Sequence, residues 1–289
     1  MPLREVRVAV AALLGVVVIA LAGLQVMASV ALRDRAQRGS WVTLVPPADA
    51  LRIVAFGDRL PLPQTLRLVF ARSALSAGDV ARAEAQTGRL EPSPDRLALL
   101  AALARTHGDA DTAVRDDFGA GDYASLARDL DVLASRGELV RALALQHAAV
   151  ARLAADPTRA DALAEAQYHL GIFEQARADT FAVIAPLRRM HEAAAARAYA
   201  RAVALGPLDE RYLLAAANQA LNMADWQTAA NTFARARQVD PTSADPLAGL
   251  GDLALRRGDP AAADAYLAQA KALEPRSAAV VRLAQKLGR

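Results

Sequence analysis

The residues that could carry chemistry are few, and their spacing does not fit a known catalytic or metal set. His107, His147, His169 and His191 are the four histidines. A zinc helix of the H-E-x-x-H kind sets two imidazoles on one face, four residues apart. His191-Glu192 opens that way, but Ala195 stands where the second imidazole belongs. The histidines therefore read as surface or packing residues. Gly119-Ala120-Gly121 follows no strand and has no third glycine or lysine after it, so it reads as a helix break and not as a phosphate loop. Ser73 and Ser135 lie in helical runs without a glycine elbow. Asp116 and Asp117 read as a solvated helix end. Cysteine is absent, which removes disulfides, thiolate catalysis and cysteine-ligated zinc and leaves the redox compartment open. No nucleophile, base and acid can be assembled, so the expectation is a protein that is not an enzyme and has no catalytic residue, cofactor or metal.

The elements that would position any site are helices. Of 289 residues 54% are hydrophobic, mostly alanine, and only 4% are aromatic, a balance that favours an all-α chain with a sizeable core. The pattern also repeats. Ala229, Phe233, Ala236 and Pro241 return thirty-four residues later as Ala263, Leu267, Ala270 and Pro275. In the later copy a first helix over residues 244–257 carries Leu247, Leu250, Gly251 and Ala254 at helical spacing, and Gly258 stops it. Asp259 then caps a second helix, and Pro260 sits in its first turn, where a missing N–H costs nothing. Two alanines let the paired helices approach, and Leu267 fills the space between them. Asp225 and Trp226 form the inner turn of the earlier copy. A thirty-four-residue helix-turn-helix unit closed by proline resembles the tetratricopeptide repeat family.

A third copy starts at Ala164-Glu165-Ala166-Gln167-Tyr168-His169-Leu170-Gly171, and its second helix carries Ala195, Tyr199, Ala202 and Pro207. Gly171 lies twenty-four residues before Ala195, against twelve from Gly251 to Ala263, so this copy has about three extra turns that could form a ledge. Upstream the resemblance is looser. Helices are predicted over 64–76, 80–90, 95–106, 111–117 and 123–135, the last followed, after a turn at Gly137, by the second helix of its pair, which holds Ala142 and Ala149 and ends at Asp156-Pro157. Ser277 caps a last helix over 278–287, read as a solvent-facing cap. The expected plan is an N-terminal transmembrane helix (1–33), a juxtamembrane connector (34–62), degenerate hairpins (63–157), repeats (158–275) and a capping helix (276–289), the hairpins forming a right-handed α-solenoid.

The anchor rests on an uncharged run of twenty-five residues, Val8 to Leu32. A bilayer core needs roughly 20. A cleaved signal peptide ending at Ala20-Leu21-Ala22 is the alternative, but the apolar run continues ten residues past Ala22. Arg4 and Arg7 before the run nearly balance Arg33, Arg35 and Arg38 after it, a count that leans slightly toward a cytoplasmic body. Because long following domains export largely regardless of charge, the expectation is a single pass through the inner membrane with the body on the extracytoplasmic side. Trp41 either anchors at the interface or packs on the first repeat. The formal charge is +3, of which Arg4, Arg7 and Arg33 against Glu5 supply +2. No basic stripe with interleaved aromatics remains, and nucleic acid is not an expected partner.

The resemblance implies a concave groove, lined by first helices, that takes a peptide or protein segment. By helix register its candidate residues are Arg211, Leu214, Asn218, Leu221, Asn222, Asp252, Leu255 and Arg256. Asn218 and Asn222, one turn apart, would hold a peptide backbone. Neither has a basic residue one turn away on its own helix, so a basic clamp on a terminal carboxylate is not expected. The implied role is a membrane-anchored scaffold that gathers a protein partner at a bacterial envelope. The alternative is an accessory subunit of a membrane complex for envelope or polysaccharide assembly.

Overall fold

A computed structural model describes residues 64–289. The predicted anchor with its run 8–32, the connector and Trp41 lie outside the described residues. Among the described residues there is no strand, and no helix is long and apolar enough to cross a membrane.

The chain runs α1 (Gln64–Ser76), α2 (Val80–Thr87), α3 (Pro94–Thr106), α4 (Ala110–Ala120), α5 (Tyr123–Ser135) and α6 (Leu139–Ala154). After a 3-10 turn at Pro157–Arg159 come α7 (Ala160–Thr180), α8 (Ala185–Leu205), α9 (Glu210–Asn222), α10 (Trp226–Val239), α11 (Asp245–Arg256), α12 (Pro260–Leu273) and α13 (Ala278–Lys286). Two predicted helices have different ends. α2 stops at Thr87, short of the expected Leu90, where the chain turns through Gly88. α4 passes through Gly119 and ends only at Gly121, whose φ is 74°. Gly119 is therefore not a break. A side chain there would meet Leu97 of α3, its Cβ 3.1 Å from Cδ1, so this glycine serves close helix packing.

A common local rule builds the turns within hairpins. The amide of the residue entering the next helix reaches back to a carbonyl five residues earlier: Asp79 to Ala74, Asp109 to Ala104, Asp225 to Ala220 and Asp259 to Ala254, each at 2.9 Å. This is the Schellman closure, which needs a left-handed residue just past the helix. Gly258 fills that place with φ 79°, while the equivalent residue one repeat earlier is Ala224, at φ 59°. Each of those four aspartates then accepts an amide hydrogen from the new helix's first turn, so one side chain both ends the turn and caps the helix.

Two compact units divide at Asp129, inside α5. In the first, α1 pairs with α2 and α3 with α4 around Ala71, Ala74, Ala83, Leu99 and Leu103. In the second, α7 pairs with α8, α9 with α10 and α11 with α12, and first helices also stack on one another, α9 on α11 and α11 on α13. Phe233 and Leu267 are buried at the centres of successive hairpin cores, as their repeated spacing predicts. α7 and α8 have 21 residues each, against 13 in α9 and 14 in α10, so the extra turns are shared by both arms. Gly171 lets the arms close: a Cβ there would stand 2.4 Å from the ring of Tyr199.

Candidate protein-binding site

The first-helix face of the second unit carries a cleft of about 110 Å³, lined by Leu214, Asn218, Asp245, Asp252, Arg282 and Lys286. Its floor is Ala248, Gly249 and Leu283, so α9, α11 and α13 each supply a wall. A larger hollow of about 450 Å³ lies by α10, α11 and α12, but it is lined mainly by alanine and leucine and receives none of the predicted residues.

Within the cleft most charges are already matched. Lys286 Nζ stands 2.7 Å from Asp252 Oδ1, and Arg256 Nε is 3.5 Å from the other oxygen. Asp245 accepts the Ser277 hydroxyl hydrogen at 2.6 Å, which ties α13 to the start of α11. Asn218 and Arg282 are exposed and make no hydrogen bond or ion pair among the described residues. An amide that can both donate and accept thus lines the same cleft as a permanently charged guanidinium, over an apolar floor. Such a set can pair a peptide backbone and hold an acceptor oxygen.

Of the eight predicted groove residues, Leu214, Asn218 and Asp252 come together there. Leu221 does not. It is 2% exposed and packs against Phe233, Ala217 and Ala229, because three residues beyond Asn218 the helix has rotated its side chain by roughly 60° toward α10. Arg211 is exposed but spent elsewhere, bonded to Asp209 at 2.8 Å and Glu165 at 3.1 Å and stacked near the Tyr168 and Tyr212 rings. These two carboxylates hold its guanidinium charged more firmly than usual. Asn222 accepts a long bond from Arg256 Nη2 at 3.4 Å, and neither lines the cleft, nor does half-buried Leu255.

Arg282 and Lys286 were not among the predicted residues. The basic companions that Asn218 lacks on its own helix arrive from α13, two repeats on. The signal was in the period: Asn218, Asp252 and Lys286 are successive thirty-four-residue equivalents, as are Leu214, Ala248 and Arg282. α13 is accordingly more than a solvent-facing cap, since it buries Val280, Leu283 and Ala284 on one side and walls the cleft on another.

The other polar groups are internal partners. His107 meets Glu84 at 2.8 Å and His169 meets Glu165 at 3.3 Å, while His147 and His191 share the buried Glu174 at 3.0 and 2.6 Å. Among the described residues no three such side chains converge as a metal site would require. Asp116 and Asp117 are not a solvated helix end: both are buried. Asp117 bonds Arg105 Nη2, whose Nε also reaches Asp129 at 3.0 Å, so one guanidinium joins α3, α4 and α5. Burial pushes the Asp117 carboxyl up to about 7, opposed by Arg105 and reinforced by Asp129.

Comparison with known proteins agrees with this architecture. Residues 220–287, from late α9 through α13, match the tetratricopeptide repeat family model. Among solved structures, PilF of Pseudomonas aeruginosa is 18% identical over 77% of this chain and 97% of its own, with a TM-score of 0.50. PilW, described as a widely conserved type IV pilus biogenesis factor, is 17% identical over 76% of this chain and 97% of its own, also at 0.50. No curated protein matches the chain. The fold is therefore a set of stacked helical hairpins of the repeat class. Over residues 220–287 the sequence matches the tetratricopeptide repeat, and the rest of the described chain shares its helical-hairpin fold. Such repeats generally serve as non-catalytic scaffolds for protein interactions.

Proposed function

We propose that this chain is a non-catalytic adaptor, held at a bacterial envelope membrane by residues 8–32, that binds a segment of a protein partner in the cleft of α9, α11 and α13. The supporting observation is the pair of unspent polar ends, Asn218 and Arg282, over the floor of Ala248, Gly249 and Leu283. The neighbouring Asp245, Asp252 and Lys286 already satisfy one another or Ser277, so they shape the cleft without demanding a ligand. An extended segment would pair its backbone with the Asn218 amide and set an acceptor, a carbonyl or a carboxylate, on Arg282. Tethering favours this arrangement, because confinement to a surface raises effective concentration and lets a shallow cleft suffice. The length and lack of charge of the run 8–32 support the anchor, and an extracytoplasmic body is our reading of its sidedness.

The test is crosslinking of the full chain in native membranes, with the captured segment then measured against variants. Asn218→Ala with Arg282→Ala should weaken capture at least roughly tenfold with helicity unchanged, since both side chains are exposed. Undiminished capture would remove the cleft from the reading, and release of the protein by a salt wash without detergent would remove the anchor.

A further inference from the structure

The surplus turns of α7 and α8 end in a tip that repeat packing does not use. Gln219 of α9 donates to the Glu192 carbonyl at 2.9 Å, and His147 of α6 meets Glu174 at 3.0 Å, so neighbouring helices grip the hairpin at those levels. Beyond them every residue from Asp179 to Met190 is exposed except the half-buried Phe181. The apex is aliphatic: Val183 is 96% exposed, Ile184 51%, Leu187 37% and Met190 53%. Ile184, Leu187 and Met190 fall at three-residue intervals, which keeps them along one side of the helix start.

Charge surrounds this apex on one sign. Residues 177–190 hold Arg177, Arg188 and Arg189 against Asp179 alone, a net +2. Asp179 accepts from Gln175 at 2.9 Å, Arg188 turns back to Glu192 at 2.8 Å, and Arg177 lies 4.5 Å over the Phe181 ring. Arg189 makes no ion pair among the described residues. The first turn of α8 also has no side-chain cap, Ile184 being its N-cap; Pro186 has no N–H, so the Ala185 and Leu187 amides are the ones left uncapped by a side chain. Aliphatic side chains at an apex, with a free arginine and bare amides just behind, match the layering of a bilayer surface, where acyl chains lie beneath anionic phosphates. An apolar pocket on a protein would match the aliphatics alone. The connector, residues 34–62, spans at most about 100 Å when extended, so a body tethered by residues 8–32 stays near the lipid.

We propose that the α7–α8 tip is a membrane contact of its own, which seats Val183, Ile184, Leu187 and Met190 in the interface of a bilayer rich in anionic lipid with Arg189 at the phosphates. It extends the tethered reading and does not involve the cleft. Because the chain has no cysteine, Val183→Cys in the full chain can carry a single environment-sensitive dye. Protein reconstituted in vesicles of two parts phosphatidylcholine to one part phosphatidylglycerol, with nitroxide on the lipid, should show several-fold stronger quenching there than at Ala261→Cys, an exposed position of α12. Adding Ile184→Asp and Leu187→Asp should abolish the excess without changing helicity, and omitting phosphatidylglycerol should reduce it. Equal quenching at both positions overturns the proposal. So does a dye shift that needs no lipid and grows with protein concentration, which would mark a second copy as the occupant, or one that appears only when membrane proteins are added.

Discussion

Replacing Gly249 by alanine should destabilise the repeat, although that exchange inside a helix ordinarily gains about 1 kcal/mol. The reason is Phe233. An ideal Cβ on Gly249 would stand 2.2 Å from Cε1 of that ring, 2.4 Å from Cζ and 2.7 Å from Cδ1. Carbon atoms rest at about 3.5–4.0 Å, so the ring would have to withdraw by more than about 1 Å. It is 1% exposed and enclosed by Ala217, Leu221, Ala229 and Leu253, and close-packed walls do not yield that far freely. Overpacking of this kind costs about 1–3 kcal/mol, and its upper range applies here, which leaves a net loss of about 1–2 kcal/mol after the helix gain. In a Phe233→Ala background, itself costing about 3–5 kcal/mol, the clash is gone and the same exchange should stabilise by about 1 kcal/mol. The cycle therefore predicts a reversal of sign and a coupling of about 2–3 kcal/mol. Trp226 packs against this same cluster and is one of two tryptophans, so a Trp41→Phe parent lets urea unfolding of the repeat be followed by its fluorescence alone. A stabilising Gly249→Ala with Phe233 present, or equal effects in the two backgrounds, would refute the assigned packing.

Ala224→Gly should stabilise by on the order of 1 kcal/mol, because Ala224 occupies at φ 59° the left-handed place that Gly258 fills one repeat later. A lowered melting temperature would show that the turn does not carry that strain. The Asp117 carboxyl has a folded pKa of about 7, raised mainly by burial above its unfolded value, so its stabilising protonation is complete at low pH and lost as pH rises through 7. Hydrogen exchange over residues 64–129 should report a loss of about 1 kcal/mol from pH 6 to pH 8, and Asp117→Asn should remove that dependence. An unchanged pH profile in the variant would place the titrating group elsewhere.

What was legible in the sequence follows the range of the interaction involved. Helix starts and stops are local, and Gly258 with Asp259 announced a turn that the structure forms with nearly the same geometry at 78–79 and 108–109. The alanine and Phe233 or Leu267 spacing likewise announced which face would be buried. The site was half legible, for a reason internal to the period. The predicted groove residues run along α9 and α11 separately, so Leu221 is included although rotation carries it into the core. Taken across helices instead, each thirty-four-residue step advances by one wall, and α13 becomes the third wall and not only an end cap. Asp117 was opaque because its partner Arg105, shared with Asp129, belongs to another helix. Adjacent acids look solvated until a distant guanidinium is brought to them. The α7–α8 surplus was countable, but not its consequence. Only the grip of Gln219 and His147 at residues 192 and 174 shows that the added turns overhang their neighbours, and that overhang turns an ordinary apolar turn into an exposed one.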